Sequence, residues 1–321
     1  MEHLKVQPLS GAKSPVKGPT SPPPPPLTAR VRVAVRVRPS AITDGDEPPP
    51  LCIPEADPET GTNVGANTLY FQHEKTQKAF RFDHVFSAEA QQSDVYNASL
   101  QPLLASLLHG FNVTVLAYGQ TGSGKTHTMG GAEKSTLEAG NNDGLISRFL
   151  RDLFEAVRNE ASMKMMINVS FLEVYCDEIR DLLIDGEQAR SNSQNDIRPR
   201  SAARLTIRED DQDVWVEGLR KVNVKSVDEA LNLLETGRQR QAIGAHALNY
   251  HSSRSHAVYT LDISRVLPNE IKGAKLTFVD LAGSERLKKT LMEGQDMKEG
   301  SHINSMVPVV FALTKWLVTN I

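Results

Sequence analysis

The chain has 321 residues, 39% of them hydrophobic and 23% charged, the composition of one large soluble globular domain or two ordinary ones. Its formal net charge of −3 argues against a generally basic, nucleic-acid-coating surface, so any acidic partner has to be met by local basic patches. The two cysteines, Cys52 and Cys176, lie far apart without CxxC spacing, which gives neither a disulfide framework nor a zinc site and suits a reducing, cytoplasmic compartment.

The first 28 residues are rich in Pro, Ser, Lys and Gly and include a proline run from Pro22 to Pro26. Such a segment buries too little apolar surface to offset its ordering entropy, so a disordered tail over 1–28 is expected. From Arg30 the pattern changes: Val31, Val33, Val35 and Val37 alternate with polar or small residues, which predicts a strand ending at Pro39. A polar loop around 44–58 follows, then two short strands flanking 73–78, the second over Phe80-Arg81-Phe82.

A helix is predicted from about Ser93 to His109, with Val95, Leu100, Leu103, Leu104, Leu107 and Leu108 on one face and Gly110 as a left-handed C-cap. Asn112 to Ala117 is a short apolar strand that leads into a glycine-rich loop. Further on, a helix over 143–157, a strand over 164–175, a short helical piece at Glu178 to Leu183 and a polar loop over 184–204 are predicted. Short strands at 214–216 and 221–224 precede a capping box, Ser226-Val227-Asp228-Glu229, that opens a helix with Ala230, Leu231 and Leu234 on its apolar face. Residues 257–266 and 275–281 form a predicted hairpin around Pro268-Asn269. No heptad tract supports oligomerisation within the chain. The longest apolar stretch, Met306 to Val318, is interrupted by Pro308 and Lys315 and is too short to span a bilayer, so no membrane partner is expected.

The chemistry concentrates in Gly119-Gln120-Thr121-Gly122-Ser123-Gly124-Lys125-Thr126, which satisfies GxxxxGK[ST] between a strand and a helix. The glycines let backbone N–H groups converge on a phosphate, Lys125 reaches the β/γ-phosphates, and the Thr126 hydroxyl ligates Mg²⁺. A second acid is needed to hold the metal's water shell, and Leu276-Thr277-Phe278-Val279-Asp280 supplies it at the end of an apolar strand.

Three stretches, Gly119–Thr126 with His127-Thr128-Met129, Asn249-Tyr250-His251-Ser252-Ser253-Arg254-Ser255-His256, and Asp280-Leu281-Ala282-Gly283-Ser284-Glu285, resemble in order and spacing the nucleotide elements of the kinesin motor domain. Arg36-Val37-Arg38-Pro39 resembles the family's adenine-side motif. Phe80-Arg81-Phe82-Asp83-His84-Val85-Phe86 and Phe171-Leu172-Glu173-Val174-Tyr175 resemble its framework signatures, and the likeness runs from about Arg30 to Asn304.

The resemblance implies an α/β fold with a central mixed, mostly parallel β-sheet and helices on both faces. It implies ATP and Mg²⁺ as ligands, with Arg36, Arg38, Pro39 and His127 flanking the adenine. Ser253 would join Thr126 at Mg²⁺, Asp280 would act through water, and the Gly283 N–H would meet the γ-phosphate. Arg254 and Glu285 would form an ion pair that closes the site when that phosphate is present. The implied partner is the acidic microtubule surface, met by Arg286, Lys288, Lys289 and Lys298, and the implied location is the cytoplasmic microtubule cytoskeleton.

After Ser305 the pattern departs from the family: Met306 to Ile321 carries Pro308, which costs about 3 kcal/mol in a helix interior. The expected division is a tail at 1–28, a motor-type ATPase domain at 29–305 lacking its C-terminal part, and a divergent end at 306–321. Two other readings stand beside a microtubule-stimulated ATPase. One is a non-motile nucleotide- or microtubule-binding module; the other, a GTPase-like switch, lacks an NKxD guanine signature.

Overall fold

The computed structural model describes residues 31–39, 51–53, 67–73, 76–130, 143–159, 164–175, 178–184, 205–210, 214–247, 254–266 and 271–285. The expected tail at 1–28, most of the loop at 184–204 and the end at 306–321 lie outside them.

The predicted N-terminal strand is shorter than its alternation suggests: β1 spans Ala34–Arg36. β2 (Leu51–Cys52), β3 (Thr68–His73) and β4 (Thr76–Arg81) form a small antiparallel sheet in that order. Its β3–β4 turn is tighter than expected, because His73 already pairs with Thr76. β5 (His84–Phe86) pairs in parallel with β1.

The single helix expected over 93–109 is two helices, α1 (Gln92–Ser99) and α2 (Leu103–Leu108). Pro102 is the cause: it has no N–H to offer the Ala98 carbonyl, and its ring crowds that turn. At the start of α1 the Gln91 N–H donates to the Asp94 carboxylate at 2.8 Å, one half of a capping box. At the end of α2 Gly110 takes φ of +98°, the left-handed cap expected of it.

β6 (Val113–Ala117) leads through the glycine loop into α3 (Lys125–Gly130), and α4 (Leu145–Asn159) follows. β7 (Lys164–Tyr175) is then folded back on by β8 (Glu178–Asp181), a strand where a helical piece was expected. The short spacing of Ile179, Leu182 and Leu183 suits either state, and pairing to Leu172–Tyr175 decides it. β9 (Thr206–Glu209) and β10 (Val214–Glu217) form a hairpin, and β11 (Val222–Val224) returns to β7. α5 (Val227–Ala247) starts as its sequence predicts, with the Ser226 hydroxyl accepting from the Glu229 N–H at 3.2 Å. The Glu229 carboxylate reaches one residue further back than a capping box requires, to the Lys225 N–H at 2.7 Å. β12 (His256–Val266) and β13 (Ile271–Asp280) are the two arms of the predicted hairpin.

The central sheet runs β11-β7-β12-β13-β6, with β8 also on β7. It is mixed, as expected, but the expectation of a mostly parallel sheet is corrected: among its described pairings only β13–β6 is parallel. Consecutive strands β12 and β13 are joined by a short connection, which permits only antiparallel pairing. Alternate residues of each strand serve opposite faces. Val169, Phe171, Tyr259, Leu261, Leu276 and Phe278 join the core built by α1, α2, α4 and α5. Leu172, Val174, Val258 and Val279 face the other way, toward Val216, Leu205 and Ile207 around the β9–β10 hairpin. Among the described residues the helices pack on the first of these faces.

α5 approaches the sheet closely at Gly237, where an added Cβ would run into the Phe171 ring. That ring is itself held edge-on against Tyr259, with centroids 5.3 Å apart. Gly237→Ala therefore sets a helix-propensity gain of about 1 kcal/mol against an overpacking cost of about 1–3 kcal/mol. The expected outcome is a lower urea unfolding midpoint; an unchanged or higher midpoint would show that Phe171 yields freely.

Candidate nucleotide site

The loop between β6 and α3 turns through Gly122 at φ +77° and Gly124 at φ +96°, a conformation that side chains with a Cβ rarely adopt. At Gly119 a Cβ would stand 2.6 Å from the Ser123 hydroxyl. The Lys125 ammonium folds over the loop and donates to the Gly119 and Gln120 carbonyls at 2.9 and 3.1 Å. It is a cation held at the loop by neutral acceptors, which a phosphate oxygen can replace with a stronger, charged one.

The parallel pairing of β6 with β13 places Ala117 opposite Asp280. In consequence the Thr126 hydroxyl, one residue into α3, donates to Asp280 Oδ2 at 2.6 Å. Asp280 Oδ1 is buried and has no hydrogen-bond partner among the described residues. Burial pushes this carboxyl above its ordinary range, opposed by the Thr126 hydrogen bond and the charges of Lys125 and Arg238. A carboxylate with an open oxygen beside a threonine hydroxyl fits Mg²⁺, which takes one or two protein oxygens and completes its shell with water and phosphate. Among the described residues no group of three or more His, Cys, Asp and Glu forms a closed metal cage.

Past Asp280 the chain leaves the sheet and runs along the glycine loop. The Leu281 N–H donates to Ala117 O at 3.3 Å and the Ser284 N–H to Gly119 O at 3.1 Å. Glu285 then turns onto the loop itself: its carboxylate accepts from the Thr121 N–H at 2.9 Å and from the Thr121 hydroxyl. Burial would raise this carboxyl, but the two Thr121 bonds, its own backbone N–H and the Lys125 charge outweigh that and hold it below the ordinary value. A carboxylate thus sits on one of the amides available to a phosphate. Gly283 passes so close that an added Cβ would collide with Glu285 and the Thr121 hydroxyl.

On the far side of the loop, the Arg38 guanidinium donates to the Gly122 carbonyl. Arg36 is held by Gln92 Oε1 at 2.8 Å, the Thr128 hydroxyl at 3.1 Å and the Ala90 carbonyl at 3.2 Å. Burial, and then the Arg36 charge, keep His127 below its ordinary pKa, so its ring is neutral at pH 7 and presents a plane without a second positive charge. Pro39 is exposed at the end of this segment.

Gln92 is a site residue that the motifs did not single out. It is buried at 2% exposure, and its amide joins Arg36 to the His127 carbonyl, which accepts from Nε2 at 2.6 Å. A lone glutamine at the start of a helix carries no sequence signal of such a role; only the tertiary contact reveals it. Of the remaining expected residues, Arg254 is half-buried two residues before β12, while Ser253, Arg286, Lys288, Lys289 and Lys298 lie outside the described residues. Gln92→Ala would leave buried donors and acceptors unmet, at about 1–3 kcal/mol. A fall of that size in urea-determined stability is expected; a change below about 0.5 kcal/mol, the usual range for a surface substitution, would mean that the Arg36–Gln92–His127 link carries little.

The sequence profile of the kinesin motor domain matches residues 36–315. Chromosome-associated kinesin KIF4 of Xenopus laevis is 38% identical over 278 residues, 85% of this chain and 21% of that protein. Kinesin-like protein KIF7 of Homo sapiens is 37% identical over 293 residues, 88% of this chain and 20% of that protein. The chain thus spans about a fifth of the length of these curated relatives. A solved structure of a fast kinesin, described with implications for ATPase mechanism and interactions with microtubules, superposes with a TM-score of 0.72 at 29% identity, covering 91% of this chain and 77% of that one. With a family match over most of its length, this chain belongs to the kinesin motor domain family.

Proposed function

We propose that this chain binds Mg²⁺-ATP at the loop 119–126 and hydrolyses it as the catalytic head of a microtubule motor. The observation that carries the reading is the convergence on one loop of Lys125, the Thr126–Asp280 hydrogen bond and Glu285 seated on Thr121. Membership of a microtubule motor family and of the phosphate-loop fold supports the same chemistry.

Each residue then has a physical task. Lys125 exchanges its carbonyl partners for phosphate oxygens. Thr126 and Ser253 would hold Mg²⁺, with Asp280 acting through water. The metal supplies charge neutralisation for the oxygens of the transferred phosphoryl group. Arg36, Arg38, Pro39 and His127 border the adenine, with Gln92 fixing Arg36 and His127 relative to each other.

Gly283 offers its N–H to the γ-phosphate. Among the described residues that amide has no intramolecular acceptor, whereas Leu281, Ala282 and Ser284 on either side each have one. Arrival of phosphate at the Thr121 amide displaces the Glu285 carboxylate, which becomes available to Arg254. Hydrolysis follows from positioning and electrostatic stabilisation, with no covalent intermediate. Arg286, Lys288, Lys289 and Lys298 meet the acidic microtubule surface, which places the protein on the cytoplasmic cytoskeleton.

Steady-state ATP hydrolysis, measured with and without polymerised tubulin over a salt series, tests this reading. Stimulation that fades as salt screens the contacts is expected. Retained nucleotide binding without turnover would favour a non-motile binding module, and a preference for GTP would contradict the ATP assignment. Lys125→Ala is expected to abolish nucleotide affinity in a fluorescent-nucleotide titration; undiminished binding would remove the loop from the site. Glu285→Ala is expected to keep binding and to lose turnover by about 10²-fold or more, as for loss of one transition-state contact; near-normal turnover would show that Glu285 has no part in the closing step.

A further inference from the structure

We propose, on the basis of the ATP-site reading above, that His256 is the positioning residue that ties the Arg254 segment to the Gly283 loop, so that γ-phosphate engagement at one is felt at the other. The β12–β13 ladder ends with Ala257 opposite Asp280. The next rung is made by a side chain: His256 Nδ1 accepts the Ala282 backbone N–H at 3.1 Å, in a buried position. His256 is 2% exposed, so nothing in solvent substitutes for that bond.

The neighbours on both sides are also held. Ser255 is buried, receives the Gln241 amide at 3.4 Å, and donates to Glu173, whose carboxyl is raised by burial and lowered in part by that bond and by Arg180. Beyond the end of β13, Leu281 and Ser284 are fastened to Ala117 and Gly119. Ala282 is thus gripped from the side of the Arg254 segment while its neighbours are gripped from the glycine loop. The Gly283 N–H, which has no acceptor among the described residues, lies directly beyond it in the chain.

A side-chain rung does what a backbone rung cannot. It lets residues 281–285 leave strand geometry and bend toward Thr121 while remaining coupled to β12. Because His256 lies two residues from Arg254 and bonds the residue before Gly283, the orientation of one constrains the other through one hydrogen bond. Accepting through Nδ1 leaves the ring proton on Nε2, so the imidazole acts here through a fixed tautomer.

The test uses the full chain and two substitutions. His256→Leu removes the acceptor, and His256→Asn keeps one at the δ position. The affinities of fluorescent ADP and of a slowly hydrolysed fluorescent ATP analogue, each with Mg²⁺, are measured for all three proteins. For His256→Leu the ratio of analogue affinity to ADP affinity is expected to shift about tenfold toward ADP, the scale of a buried donor left unmet. His256→Asn is expected to restore the ratio to within about threefold of the parent, as a retained hydrogen bond should.

An unchanged ratio in His256→Leu overturns the coupling. So does an equal loss for both nucleotides that Asn fails to rescue, which marks a purely structural residue. If the parent chain binds neither nucleotide, it is the ATP-site reading that fails, and this proposal falls with it.

Discussion

Strands Val113–Ala117 and Ile271–Asp280 pair in parallel with Ala117 beside Asp280, and both halves of the site hang from that register. One strand continues into the glycine loop and α3, the other into Leu281–Glu285. A slip of one residue would turn every side chain of β13 to the opposite face. Phe278 and Leu276 would leave the helix-covered core, and Asp280 would lose Thr126. The hydrophobic alternation that stabilises the sheet is therefore also what aims the Asp280 carboxylate at Thr126.

Around that pair, the protein tolerates several buried polar groups, and each has a stated partner or a stated use. Gln92, Glu173, Ser255 and His256 are all buried, and their hydrogen bonds run between elements distant in sequence. Unpaired, each would cost about 1–3 kcal/mol. Paired, they cross-link α1 to α3, α5 to the residue before β12, and β12 to the segment after β13. Asp280 Oδ1 is different, because it is buried and open. An open carboxylate oxygen beside the Thr126 hydroxyl fits the water shell of the Mg²⁺ proposed above.

Much of the site was legible because its chemistry is local. A glycine loop between a strand and a helix needs only eight consecutive residues to announce itself, and the apolar run ending at Asp280 needs five. Helix α5 was legible from Ser226 and Glu229 for the same reason. What was not legible depends on contacts between distant segments. Gln92 matters through Arg36 and His127, and His256 through Ala282, none of which neighbours it in the chain. Residues 178–181 became a strand because β7 offered an edge, and the helix expected over 93–109 broke because Pro102 outweighed a favourable apolar spacing. The mostly parallel sheet was an inference from family likeness, and strand-by-strand pairing replaced it.

In the proposed function, residues 119–126 and 281–285 form one phosphate-responsive unit. Amide hydrogen–deuterium exchange tests it most directly, comparing the chain alone, with Mg²⁺-ADP, and with a slowly hydrolysed Mg²⁺-ATP analogue. Protection of 119–126 by either nucleotide, with protection of 281–285 added only by the analogue, is the expected result. Exchange at 119–126 that neither nucleotide slows would contradict the account.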